Sequence, residues 1–238
     1  INSKFEKLNV DSKIEDLFSG EKVNHTEDQA AWHPKYRKNI PHWPSKDLTE
    51  CLNNGVLDGV INIVILGIGG SFEGPKLLIE SLIGHDANFN HLFITGSDPN
   101  EFIEKTLNLK KSETLFIISS KSFTTDETLE TLDDAIKWSG DMNKFIAITA
   151  NPSEASKYNI KHIIKFDKEI GGRYSIWSDI SIPAFLNSSI EPDNFLKGGH
   201  QADIDLQTNK KYLEFIKTLS YSDIWLNNFK NKSSRAVL

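Results

Sequence analysis

The sequence predicts an α/β protein built on a parallel, doubly wound sheet, and two observations carry that expectation. Short continuous apolar runs rich in Ile, Val and Phe recur through the middle of the chain, which is how strands buried on both faces read. Between them lie amphipathic stretches with helix-start signals, so strands alternate with helices and imply βαβ units.

Taken in order, residues 1–42 are polar, with a modest helical spacing of Phe5, Leu8, Ile14, Leu17 and Phe18, and are read as a helical arm. Pro34, Pro41 and Pro44 punctuate its exit. The expected strands are Val60–Leu66, His91–Thr95, Thr114–Ile118, Lys144–Thr149 and His162–Phe166. One expected helix spans Pro75–Ile83, with proline in its first turn. Another spans Thr125–Trp138, where Thr124 and Glu127 have the spacing of a capping box. These elements place an α/β domain at residues 43–190. Residues 191–238 form a helical connection towards a further domain, and the helical pattern from residue 177 is interrupted by Pro183, Pro192 and Gly198-Gly199.

Composition narrows the function. The 238 residues hold 27 Lys and Arg against 33 Asp and Glu, a net charge of −6. No broad basic face for nucleic acid or anionic lipid is expected. The apolar run Val60–Ile68 is far shorter than the ~20 residues that span a bilayer. The single cysteine, Cys51, excludes an internal disulfide and a cysteine-built zinc site, and a reducing, cytoplasmic setting is expected. The chain begins at Ile1 and its one methionine is Met142, so the start is expected to be internal to a longer sequence.

Three unusual loops follow the first, third and fifth expected strands, at the edge where open α/β sheets bind ligands. The first is Gly67-Ile68-Gly69-Gly70-Ser71-Phe72-Glu73-Gly74-Pro75. Phe72 stands where the dinucleotide fingerprint needs glycine, and Pro75 where a phosphate-loop lysine would stand. A glycine turn entering a helix N-terminus remains, and its free N–H groups favour an anion. The second, Ser119-Ser120-Lys121-Ser122-Phe123-Thr124-Thr125-Asp126-Glu127-Thr128, has more hydroxyls than a helix cap uses. Ser120, Lys121, Ser122, Thr124 and Thr125 are its candidate ligands for phosphate oxygens. The third, Ile170-Gly171-Gly172-Arg173-Tyr174-Ser175, joins two glycines that permit close approach to a planar cation suited to an oxyanion. Together they point to a small phosphorylated polyol or sugar.

The same residues resemble the phosphoglucose isomerase family. Gly67-Ile68-Gly69-Gly70-Ser71 with Gly74-Pro75, Ser120-Lys121-Ser122-Phe123-Thr124-Thr125 with Glu127-Thr128, and Gly171-Gly172-Arg173-Tyr174-Ser175 are similar to its motifs. Weaker matches are Phe18–Asn24 with Thr26-Glu27, Phe195–Gly198 and Trp225–Phe229. The resemblance implies a three-layer α-β-α sandwich with a five-stranded parallel sheet, the sugar-isomerase domain. It implies interconversion of glucose 6-phosphate and fructose 6-phosphate through an enediol, without metal or cofactor, by a cytoplasmic homodimer. Ser120, Ser122, Thr125 and nearby amides, with Lys121 and Thr124, would hold the phosphate. Gly70, Ser71 and Gly172 would line the sugar, and Arg173 would be the catalytic cation on the enediol oxygen.

The chain departs from the family in four ways. The carboxylate that moves the proton, and the ring-opening histidine, have no position assigned here. The chain is therefore expected to be the N-terminal half of an isomerase, inactive alone. Pro34 is expected to kink or stop a helix, and Asp179 and Ser181 stand where small residues are usual. The other reading of the loops is a non-catalytic sugar-phosphate-binding module.

Overall fold

A computed structural model describes residues 9–26, 28–30, 32–38, 44–83, 88–187 and 191–232. The expected start of the arm, Phe5 and Leu8, and the last residues lie outside them, as does Pro41. The sheet has five parallel strands: β1 (Asn62–Leu66), β2 (Asn90–Ile94), β3 (Thr114–Ser119), β4 (Phe145–Thr149) and β5 (His162–Lys165). Their order is β2-β1-β3-β4-β5. Ile63, Val64, Ile65 and Leu66 pair in register with Leu115, Phe116, Ile117 and Ile118 of β3.

Every residue of β1, β3 and β4 is buried, which is why these segments read as unbroken apolar runs. Ile63, Ile65, Leu115, Ile117, Ile146 and Ile148 face one layer, and Val64, Leu66, Phe116, Ile118 and Phe145 the other. Each such side chain contributes about 1.5–3 kcal/mol by leaving water. The first layer is covered by α3 (Lys46–Asn53) and the segment Ile170–Ile182; the second by α5 (Pro99–Thr106), α6 (Asp126–Ser139) and α7 (Pro152–Ser156). Helix α4 (Gly70–Leu78) packs on α8 (Ile182–Phe185). The three-layer α/β expectation holds.

Several elements differ from their sequence reading. Helix α4 begins at Gly70 and ends in a π turn at Ile79–Ile83, so Pro75 lies inside the helix. The entry is set by Gly69, whose φ of 58° and ψ of −124° suit only glycine. The capping box does not form: Thr125 is the N-cap of α6 and its side chain makes no cap hydrogen bond. Pro34 neither kinks nor stops a helix; after α1 (Val10–Ser19), it sits in the first turn of α2 (His33–Lys38), where its missing N–H is harmless. Gly198-Gly199 does not interrupt α9 (Pro192–Thr208). A Cβ on Gly199 would lie 2.7 Å from the Trp177 ring, so glycine there serves close packing.

That packing ties α2 to α9. Arg37 of α2 makes paired hydrogen bonds to Asp203 of α9 at 2.7 and 2.6 Å. Its guanidinium lies over Trp177, 4.7 Å from the ring centre, and Trp177 stacks on Phe195 at 4.6 Å. Helix α10 (Lys210–Lys230) follows α9 after Asn209, whose side chain accepts from Lys211 and Tyr212 N–H groups. Among the described residues no helix is long and apolar enough to cross a membrane.

Arg37 and Asp203 are only 5% and 8% exposed. Asp203→Ala should therefore cost about 3–5 kcal/mol, because it strands a buried guanidinium. Urea unfolding checks this, and a loss below about 1 kcal/mol would contradict the assignment of Arg37 to the interior.

Candidate functional site

The order of strand addition reverses between β1 and β3, since β2 lies on one side of β1 and β3, β4 and β5 lie on the other. Open α/β sheets place ligands beyond the carboxyl ends of the strands at such a point. A cavity of about 540 Å³ is found there, and its lining includes Gly70, Ser71, Ser120, Lys121, Ser122, Thr125 and Gly172. All three loops thus meet around one space. Thr124 and Arg173 do not line it.

The first and third loops touch through backbone. A Cβ on Gly70 would sit on the carbonyl of Gly172, well inside van der Waals contact, and 2.8 Å from Ser175 Oγ. Ser175 in turn donates to the same Gly172 carbonyl at 2.7 Å. Gly67 is close-packed as well, its missing Cβ 3.0 Å from the Ser119 carbonyl. Glycine at 67 and 70 is what lets the three segments share one cavity wall.

The second loop is held rigidly, with some of its polar groups left over. Ser120 Oγ accepts from Phe123 N–H at 3.1 Å, and Asn151 Nδ2 donates to the Ser122 carbonyl at 3.3 Å. The Phe123 backbone has φ of 55°, a strained value for an aromatic residue. Burial of its ring, only 1% exposed, holds it there. Ser122 Oγ accepts from both the N–H and the hydroxyl of Thr124, at 3.2 and 2.8 Å. Thr124 thus shapes the loop from outside the cavity. Lys121 Nζ donates to Gln29 Oε1 at 2.7 Å and to the Ile170 carbonyl at 3.2 Å. Ser119 Oγ is buried at the cavity wall without a hydrogen-bond partner, the kind of group a ligand satisfies. The Thr125 hydroxyl is free of capping duty, and the first N–H groups of α6 point beyond its N-terminus.

Arg173 follows Gly172 directly, but its exposed side chain lines a neighbouring depression of about 320 Å³. Lys13, Asn24, His33 and Tyr174 share that wall, and Gly172 borders both spaces. His33 stacks on Tyr174 with ring centres 4.1 Å apart. Burial, reinforced by the nearby Arg37 charge, lowers the His33 pKa to about 4. Behind the loop, burial pushes the Asp179 carboxyl up to about 6. Ser181 Oγ donates to the Ile176 carbonyl at 2.7 Å. The two polar departures noted in the sequence are thereby absorbed into the local packing.

Ser119 and Thr128, at the two ends of the hydroxyl loop, also line the larger cavity, as do Asn151 and Lys168, and Gln29 reaches Lys121 from the arm; the last three were not singled out from the sequence. Asn151 and Lys168 follow β4 and β5, so their place beyond a strand end was the available signal. Another cavity, of about 410 Å³, lies at the amino ends of β4 and β5, lined by Asp47, Glu50, Lys144, Lys161 and His162 among others. It lacks the loops, and its charges are of both signs. Among the described residues no group of His, Cys, Asp and Glu is placed to hold a metal.

Residues 42–238 match the family described as phosphoglucose isomerase. The chain is 34% identical over 217 residues to a glucose-6-phosphate isomerase of Zymomonas mobilis, covering 83% of this chain and 43% of that one. It is 32% identical over 261 residues to a glucose-6-phosphate isomerase of Blochmanniella pennsylvanica, covering 94% and 47%. The chain spans about half the length of the curated relatives it matches. Its fold is similar to a crystal structure of a glucose-6-phosphate isomerase from Chlamydia trachomatis, with a TM-score of 0.72 at 22% identity over 87% of this chain and 46% of that one.

The contact between the first and third loops gives a paired prediction. Gly70→Ala should destabilise the fold by about 1–3 kcal/mol, since its methyl has no room beside Gly172. Gly172→Ala should be near neutral, because a Cβ there meets nothing within 4 Å. Thermal unfolding of both variants tests this, and equal effects would contradict the geometry.

Proposed function

The chain belongs to the phosphoglucose isomerase family, and from that premise we propose that its larger cavity binds the phosphate of a six-carbon sugar phosphate. The reaction served is the interconversion of glucose 6-phosphate and fructose 6-phosphate. The observation that carries the binding assignment is the unspent polar chemistry at the start of α6. Thr125 caps the helix without using its hydroxyl, Ser119 Oγ has no partner, and both line the same cavity. A phosphate supplies acceptors for hydroxyls and helix N-terminal amides together.

Ser120, Ser122 and Thr125 hold the phosphate oxygens, and Lys121 adds charge from its tether to Gln29. Gly70, Ser71 and Gly172 allow the sugar carbons to lie against backbone. The carbon chain then extends past Gly172 towards Arg173. In an aldose–ketose exchange a proton moves between C1 and C2 while negative charge develops on the adjacent oxygen. A fixed guanidinium beside that oxygen favours the enediol over the bound sugar, which lowers the barrier. Arg173 supplies this role from the neighbouring depression. The proton transfer itself is assigned to no residue among these 238.

Calorimetry with glucose 6-phosphate tests the division of labour. Ser120→Ala and Thr125→Ala should each weaken binding about tenfold, the cost of one hydrogen bond to a charged group. Arg173→Ala should change binding less than about threefold, because its interaction strengthens only as charge develops. Absence of binding, or the reverse order of effects, would overturn the assignment.

A further inference from the structure

Lys168 is a cation on the cavity wall that neither the loop motifs nor the family premise accounts for. It follows β5, is exposed, and lines the same cavity as Ser119, Thr125 and Lys121. The acids beside it in sequence do not neutralise it in the structure. Asp167 pairs with Lys35 at 3.1 Å and accepts from the Glu169 N–H at 2.9 Å. Among the described residues Lys168 is in no ion pair.

The need for such a cation is visible in the charges around the site. The chain carries a net charge of −6, and the first turn of α6 holds two carboxylates, Asp126 and Glu127, beside the amides that would meet an anion. The other lysine of the cavity, Lys121, already spends two of its N–H groups on Gln29 and Ile170, out of three. A doubly charged phosphate entering there meets one tethered ammonium and opposing acids. An untethered ammonium on the far wall, from the strand two places beyond β3, offsets them.

We propose that Lys168 is a phosphate-binding residue of this site, one that closes on the ligand from the β5 side and gives the cavity its preference for doubly charged phosphate groups over uncharged sugars. This rests on the phosphate reading of the cavity given above. Lys168 would make a direct charge-assisted contact, and its exposed position makes that contact sensitive to salt.

The experiment is calorimetric titration of the 238-residue chain with glucose 6-phosphate and with inorganic phosphate at low and high salt, comparing Lys168→Met and Lys168→Arg. Thermal unfolding of each variant reports on the fold. The expected result is binding about tenfold weaker in Lys168→Met for both ligands, a weaker salt dependence in that variant, near-complete recovery in Lys168→Arg, and unchanged unfolding midpoints. Wild-type binding that Lys168→Met leaves unaltered would overturn the role of Lys168 while sparing the phosphate site. Equal losses in Lys168→Met and Lys168→Arg would overturn it too, since charge would then not be what matters. Failure of the wild-type chain to bind either ligand would overturn the phosphate reading and this inference together.

Discussion

The close approach of Gly70 to the Gly172 carbonyl is the constraint on which the site depends. It joins the turn after β1 to the segment after β5 without any side chain between them. Any larger residue at 70 would wedge the two apart, and the wall they form together would open. The same contact brings Arg173 within one residue of the cavity that Ser71, Ser120 and Thr125 line. Ser175 reinforces it by bonding to the Gly172 carbonyl. Behind it, the buried Arg37–Asp203 pair and the Trp177–Phe195 stack fix the segment against helices α2 and α9.

Within this frame the proposed anion site of an acidic chain draws on oriented groups, not on overall charge. Helix N-terminal amides, spare hydroxyls and a few lysines act over a few ångströms, a shorter reach than the Debye length of about 8 Å at physiological ionic strength. Lys121 is aimed by Gln29 and the Ile170 carbonyl. The strained Phe123 backbone is held by a buried ring. Loops so tethered lose little entropy on meeting a ligand.

The sequence made the sheet legible because β1, β3 and β4 are buried on both faces, and a run such as Asn62–Leu66 has no other economical place in a fold. The hydroxyl loop was legible for a related reason: it carries more polar groups than local structure can use. Proline and glycine punctuation misled where tertiary contacts decide. Pro75 reads as a helix start, yet α4 opens at Gly69–Gly70. Gly198-Gly199 reads as a break, yet the helix runs through it and Gly199 is a packing notch for Arg37 and Trp177. The Gln29–Lys121 bond links residues 92 positions apart, and no periodicity records it. The separation of Arg173 from the hydroxyl cavity was likewise invisible, because side-chain direction at a loop is set by what packs around it.

The central claim is that three separated segments act as one ligand-binding wall. The most direct measurement is amide chemical-shift mapping of the isotope-labelled chain titrated with glucose 6-phosphate. The account predicts that Gly70, Ser71, Ser120, Thr125 and Gly172 shift together along a single saturation curve. Shifts confined to the other end of the sheet, at Asp47, Lys144, Lys161 and His162, or loops that saturate at different ligand concentrations, would contradict it.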